Sequence, residues 1–194
     1  MMRYLRIICC SLFALQGAKA ENLSIDLDKA KTKISFVLTD VLHTVHGTFQ
    51  LNSGHVVFNP DTGEIKGDLS VDAASGESGS AARDRRMTKD ILEAQRYPEA
   101  RFTATKLTGS FIPSGTSSVQ VTGSFTIHGQ AHELVIPMQV RLSQGEITAT
   151  GKFTVPYVQW GMKNPGNFLL KVNDKVEVYV TAVGHLTGLP PKFP

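Results

Sequence analysis

The stretch from Val119 to Leu142 (VQVTGSFTIHGQAHELVIPMQVRL) does most to limit what this chain can become. Val119, Val121, Gly123, Phe125 and Ile127 alternate with Gln120, Thr122, Ser124, Thr126 and His128, the period of a strand with one face in apolar surroundings. Gly129 and Gln130 interrupt the pattern. It resumes with Leu134, Ile136, Met138, Val140 and Leu142 set against Val135, Pro137, Gln139 and Arg141. Two long antiparallel strands joined by a short turn are therefore expected, each of roughly ten residues, or about 33 Å. A hairpin so long and so amphipathic cannot bury its apolar face alone. The chain offers no run of helices to cover it, so more sheet must, and the sheet is expected to curl into a barrel.

Residues 1–20 stand apart. Arg3 and Arg6 precede the apolar run Ile7 to Leu15, and Ala18-Lys19-Ala20 offers a small-residue cleavage site; this is the pattern of a secretory signal peptide. The apolar run is about half of the roughly 20 residues that a membrane span needs. Cleavage would start the mature protein at Glu21 and place it in the periplasm or outside the cell. Both cysteines, Cys9 and Cys10, would leave with the signal, and with them any disulfide or thiol chemistry. So would Arg3, Arg6 and Lys19, leaving 17 basic residues against 17 acidic ones. The formal charge of +3 on the whole chain thus gives no reason to expect nucleic acid, and no basic stripe interleaved with aromatics argues for it. Residues 21–194 suit one domain with a full core, and no later segment is apolar enough to span a bilayer.

The strand period continues on both sides of the hairpin. Upstream it marks Leu23 to Leu27, Thr32 to Leu42 with Ile34, Phe36 and Leu38 on one face, and His46 to Leu51 with Gly47 and Phe49. Gly54 precedes a strand from His55 to Phe58. Asn59-Pro60-Asp61-Thr62-Gly63 signals a turn, and Ile65, Gly67, Leu69 and Val71 carry the apolar face on. The pattern breaks at the Gly/Ser stretch Ala73 to Ser80, which leads into a helical segment, Ala81 to Gln95, with a stripe of Met87, Ile91 and Leu92. Tyr97-Pro98 ends it, because proline disfavours α conformation in the residue before it. Sheet resumes over Arg101 to Phe111, and Pro113 to Ser118 should turn into the long hairpin. Strands over Glu146 to Val155 and Lys175 to His185 follow, separated by a Tyr157 to Phe168 loop that holds Trp160; Thr187 to Pro194 reads as an extended tail. The fold class expected is all-β: an extended antiparallel eight-stranded, lipocalin-like barrel with one amphipathic helix over an end.

Such a barrel is filled or hollow according to the side chains that face inward. That face carries Gly47, Gly67, Gly123, Gly151, Ala104, Ala149 and Ala182 among larger residues, which favours a lumen; glycines that relieve curvature are the other account. The residues assigned to the wall of an apolar ligand site are Phe36, Phe49, Leu69, Phe102, Val121, Gly123, Phe125, Ile127, Ile136, Met138, Phe153, Trp160 and Val178. On the helix, Arg83, Arg85 and Arg86 stand among Asp84, Asp90 and Glu93, and read either as a solvated face or as donors to an anionic headgroup. Catalytic constellations are poor. His43 and His46 are three apart, so on a strand they face opposite ways, while His128 and His132 straddle the hairpin turn. Neither a metal nor another cofactor is expected, and there is no serine elbow and no glycine-rich phosphate loop. Three readings stay open: a lipid carrier, an enzyme using His128 or His132, and a filled barrel with a stress or structural role.

The chain resembles the YceI-like, polyisoprenoid-binding, lipocalin-like family. The resemblance rests on Gly47-Thr48-Phe49 followed by Gly54 and Phe58, Arg83-Asp84 opening the helix, and Tyr97-Pro98 with Phe102 closing it. It continues through Val121-Thr122-Gly123, the Phe125 to Gly129 run, Trp160-Gly161-Met162 and Val176 to Val180. Departures are Lys31-Thr32 where members often carry His-Ser, Trp160-Gly161-Met162 where they carry Phe-Gly-Leu, and a shorter His43 to Gly47. The resemblance implies an apolar tunnel that holds an isoprenoid quinone or polyprenyl lipid, often a homodimer, and no reaction.

Overall fold

The computed structural model describes residues 22–40, 43–112, 115–166 and 171–188. The expected signal segment with Cys9 and Cys10 lies outside the described residues. So do Leu42, the first two residues of the expected Pro113 to Ser118 turn, Phe168, and the tail from Leu189 onward.

Ten strands form among the described residues: β1 Leu23–Leu27, β2 Lys33–Thr39, β3 Thr44–Phe49, β4 Leu51–Phe58, β5 Ile65–Asp72, β6 Glu99–Gly109, β7 Gly115–Ile127, β8 Gln130–Ser143, β9 Glu146–Val155 and β10 Val176–Thr187. They pair in the order β1-β4-β5-β6-β7-β8-β9-β10, and β10 returns to β1. One edge of β10 is shared, residues 177–181 facing β2 and residues 184–187 facing β1. β1 and β2 are thus two halves of one barrel strand, interrupted by residues 28–32. Thr32 closes that interruption: its buried hydroxyl accepts the Val183 N–H at 3.1 Å and donates to the Val183 carbonyl at 3.2 Å. β3 and β4 are likewise two halves of the next strand, separated by Gln50. The result is a closed, antiparallel, eight-stranded barrel.

The hairpin that drives the fold is β7 and β8, paired in unbroken register from Gly115 opposite Leu142 to Ile127 opposite Gln130. Its turn is His128-Gly129, one residue earlier than the sequence pattern indicates. Both residues have positive φ, 51° and 74°, as a two-residue hairpin turn that matches strand twist requires. Gly129 is needed twice over, since a Cβ there would lie 2.5 Å from the Tyr97 ring. Val119, Phe125, Ile136, Val140 and Leu142 are buried while Val135, on the other face, is 51% exposed. Each such buried side chain is worth about 1.5–3 kcal/mol.

The helical segment is shorter than expected. An α-helix, α1, covers Ala81–Arg86, and a π-helical turn covers Met87–Ile91. Ser80 precedes α1 in extended conformation without a side-chain cap, so nothing fixes a longer helix at its start. The Leu92 N–H reaches back five residues to the Met87 carbonyl at 2.9 Å. The wider turn brings Met87, Ile91 and Leu92 together over the barrel interior. The Gly/Ser stretch before α1 is tied to the free edge of β3 by the Thr48–Glu77 bridge, with backbone bonds of 2.8 and 3.0 Å.

Candidate ligand-binding site

The barrel is hollow. A cavity of about 720 Å³ runs through its interior, within the roughly 300–1,000 Å³ range of small-molecule sites. All ten strands contribute to its wall, which is made mainly of Val, Ile, Leu, Phe and Ala side chains. Phe36, Phe49, Leu69, Phe102, Val121, Phe125, Ile127, Ile136, Met138, Phe153 and Val178 all face it. One end is packed: Leu23, Phe58, Ile65, Val119, Val140, Leu142 and Leu186 form a buried cluster there, with Phe58 and Phe111 edge to face at 5.5 Å.

Two residues assigned to the wall lie off it. Gly123 is covered, because a Cβ there would meet the Phe102 ring at 2.5 Å and the Thr103 carbonyl at 2.4 Å. Gly47 under Phe36 and Gly151 under the Met138 sulfur repeat the arrangement, at 2.3 and 2.2 Å. These glycines do not leave the lumen empty at their own positions; they are notches that seat a neighbour's bulk. Trp160, the other exception, stands in the loop after β9. Its indole stacks on His132 at 3.9 Å and 5° and lies 6.1 Å from Phe125, closing the packed shell that also holds Val155, Tyr157 and Met162. Arg85 is a third correction, this time to the headgroup set. Arg83 and Arg86 border the cavity and Arg85 does not, since helical positions three apart share a face while Arg85, two positions from Arg83, points to the far side.

Polarity in the cavity is concentrated at the helix end. Asp40, Ser78, Ser80, Arg83, Arg86, Tyr97, Glu99 and His128 border it there. Ser70 Oγ donates to Glu99 at 2.7 Å, and Arg101 donates to it at 2.5 Å; both bonds hold the carboxyl below its usual range. Asp40 accepts the His43 N–H at 2.6 Å. Arg83 donates through Nε to the Ser78 hydroxyl and through a terminal nitrogen to the Ser78 carbonyl, both at 2.7 Å. Ser78 in turn donates to Asp84 from its backbone and its hydroxyl. Tyr157, also on the wall, donates its hydroxyl to the Asn173 carbonyl at 2.7 Å. Its burial, together with Asp174 nearby, pushes its pKa up to about 12, so it stays a neutral donor.

The histidines do not converge on a centre. His43 and His46 are exposed near the start of β3. His128 sits in the hairpin turn with its Nε2 3.4 Å from Glu93 and its ring 4.7 Å from Tyr97. His132 is held against Trp160 instead. Among the described residues no group of three His, Cys, Asp or Glu side chains is placed to hold a metal.

This architecture can be set beside known proteins. A family model described as the YceI-like domain matches residues 26–183. The chain belongs to the YceI-like family. A UPF0312 protein of Vibrio parahaemolyticus is 30% identical over 123 residues, 62% of this chain and 63% of that one. One from Pseudomonas syringae pv. tomato is 29% identical over 131 residues, 65% of each. The chain thus spans just under two thirds of the length of these curated relatives. Burkholderia cenocepacia BcnA superposes with a TM-score of 0.67 at 24% identity, covering 81% of this chain and 99% of that one. A domain from Saccharophagus degradans, described as polyisoprenoid binding and implicated in plant cell wall breakdown, gives 0.63 at 19%, covering 85% and 98%. Those two likenesses establish the YceI-like barrel fold. The segments that carry the resemblance meet in space: Tyr97 packs on His128-Gly129, Phe102 on Gly123, and Phe125 on Trp160.

Proposed function

We propose that this YceI-like protein is a non-catalytic carrier or store for a long-chain isoprenoid lipid, an isoprenoid quinone or a polyprenyl phosphate, held in the barrel lumen. One observation carries the reading: a closed barrel encloses a cavity of about 720 Å³ with apolar walls, and the charged groups that border it gather at one end. That is the complement of a single-tailed amphiphile. A forty-carbon tail at about 0.3 kcal/mol per heavy atom would contribute about 12 kcal/mol, the nanomolar range. The polyisoprenoid-binding description of the Saccharophagus domain agrees with this ligand class. The signal segment expected over residues 1–20 fits a periplasmic or secreted carrier, in which burying a water-insoluble tail is the useful step. The dispersed histidines give an enzymatic reading no comparable support.

The test is solvent extraction followed by mass spectrometry. Protein purified from its native host should release about one isoprenoid per folded chain. Ala149→Phe should lower that yield, because Ala149 faces the lumen, while overpacking costs about 1–3 kcal/mol and leaves much of the fold intact. A lipid-free wild type that also refuses added isoprenoid would sink the proposal.

A further inference from the structure

The charge at the helix end of the cavity does not balance internally. Of the four residues with a full charge that border the cavity, Glu99 is bound by Ser70 and Arg101, Asp40 holds the His43 backbone, and Arg83 spends two donors on Ser78. The fourth, Arg86, forms no ion pair or hydrogen bond among the described residues. His128, the one titratable base there, already faces Glu93 at 3.4 Å. The uncommitted charge at this end of an apolar tunnel is therefore a guanidinium one turn along α1 from Arg83, which borders the same cavity. A guanidinium offers donors in a fixed fork that suits two oxygens of one anion. Ser80, whose side chain makes no cap bond to α1, borders the same cavity.

We propose that Arg86, assisted by Arg83, is an anion site at the helix end of the cavity that selects amphiphiles with a phosphate or carboxylate headgroup over neutral ones with the same tail. The inference rests on the carrier reading and narrows it from isoprenoids in general to anionic single-tailed lipids. The ligand lies with its tail toward the Phe58 and Phe111 end, where no charged side chain borders the cavity, and its headgroup between α1 and the β7–β8 turn.

The probes are geranylgeranyl phosphate, geranylgeraniol and inorganic phosphate, titrated against delipidated full chain. Wild type should prefer the lipid phosphate to the alcohol by about tenfold to a hundredfold, the effect of one charge-assisted contact. Arg86→Gln should collapse that ratio, Arg86→Lys should restore part of it, and Arg85→Gln, off the cavity, should keep it. Raising the salt concentration should weaken the phosphate more than the alcohol. Equal wild-type affinity for both lipids, or equal effects of the Arg85 and Arg86 substitutions, would overturn the anion site and leave the carrier standing. Displacement of the lipid phosphate by millimolar inorganic phosphate would assign the arginines to a free anion and overturn the headgroup role. If neither lipid binds, the carrier reading itself falls and this inference with it.

Discussion

At the scale of single residues, size in the sequence is a poor guide to empty space. Gly123 reads as missing volume, yet its notch is taken by Phe102, the diagonal neighbour on β6, and the space that a ligand would use lies beyond that ring. Gly123→Ala should therefore act on stability and not on loading. Its Cβ meets a ring that can shift and a backbone carbonyl at 2.4 Å that cannot, so a loss of about 1–3 kcal/mol is expected in denaturant unfolding, with lipid per folded chain unchanged. A fully stable variant that carries less lipid would reverse the assignment. His132 makes a second prediction. Burial against Trp160 and Phe125 leaves its Nε2 without a partner and holds its pKa below the ordinary 6.5. The unfolded chain then binds a proton more readily than the folded one. The stabilisation is complete above about pH 6.5 and is lost as pH falls through the lower folded value. Unfolding free energy should drop between pH 7.5 and pH 5, and His132→Phe, which keeps a ring on Trp160, should flatten that drop. An unchanged slope would place the acid sensitivity elsewhere.

At the scale of elements, what could be read was what depends on local period. The β7–β8 hairpin is legible because alternation over more than ten residues per strand leaves only one face to bury, and β9 follows for the same reason. The hairpin turn sits one residue earlier than the alternation indicates, because the positive φ of a non-glycine residue, His128, leaves no mark in a polarity pattern. The helix was legible in place but not in form. Met87, Ile91 and Leu92 give a stripe of ordinary helical spacing, and a polarity pattern does not distinguish an α turn from the widened turn in which all three border the lumen. Trp160 shows the same limit: a lone aromatic in a loop announces burial, but whether it faces the ligand or backs the wall depends on His132, which reaches it only once β8 is in register. Arg86 was legible only as part of a basic run. Its separation from Arg85 needed the helical phase relative to the barrel.

At the scale of the whole molecule, closure depends on one strand. β10 holds β9 along one edge and both β1 and β2 along the other, so the ends of the chain that the structure describes complete the ring together. No local pattern encodes this, because it joins residues more than 150 positions apart, such as Ser24 and Thr187. A ring closed around an apolar hollow leaves wall atoms without partners on their inner side, and those missing contacts are a standing loss of stability. A ligand that fills the hollow restores them and binds only the folded state. At a free concentration 100 times its dissociation constant it stabilises by about 2.7 kcal/mol, and about 2–4 °C per kcal/mol for a domain of this size makes that about 5–11 °C in Tm. Delipidated protein should melt lower than protein as purified by this margin and should recover on reloading with a long-chain isoprenoid. A short-chain isoprenoid alcohol at equal concentration should recover less, since it buries less of the wall. Identical melting before and after delipidation, with lipid verified in the first sample, would mean that the lipid lies outside the barrel.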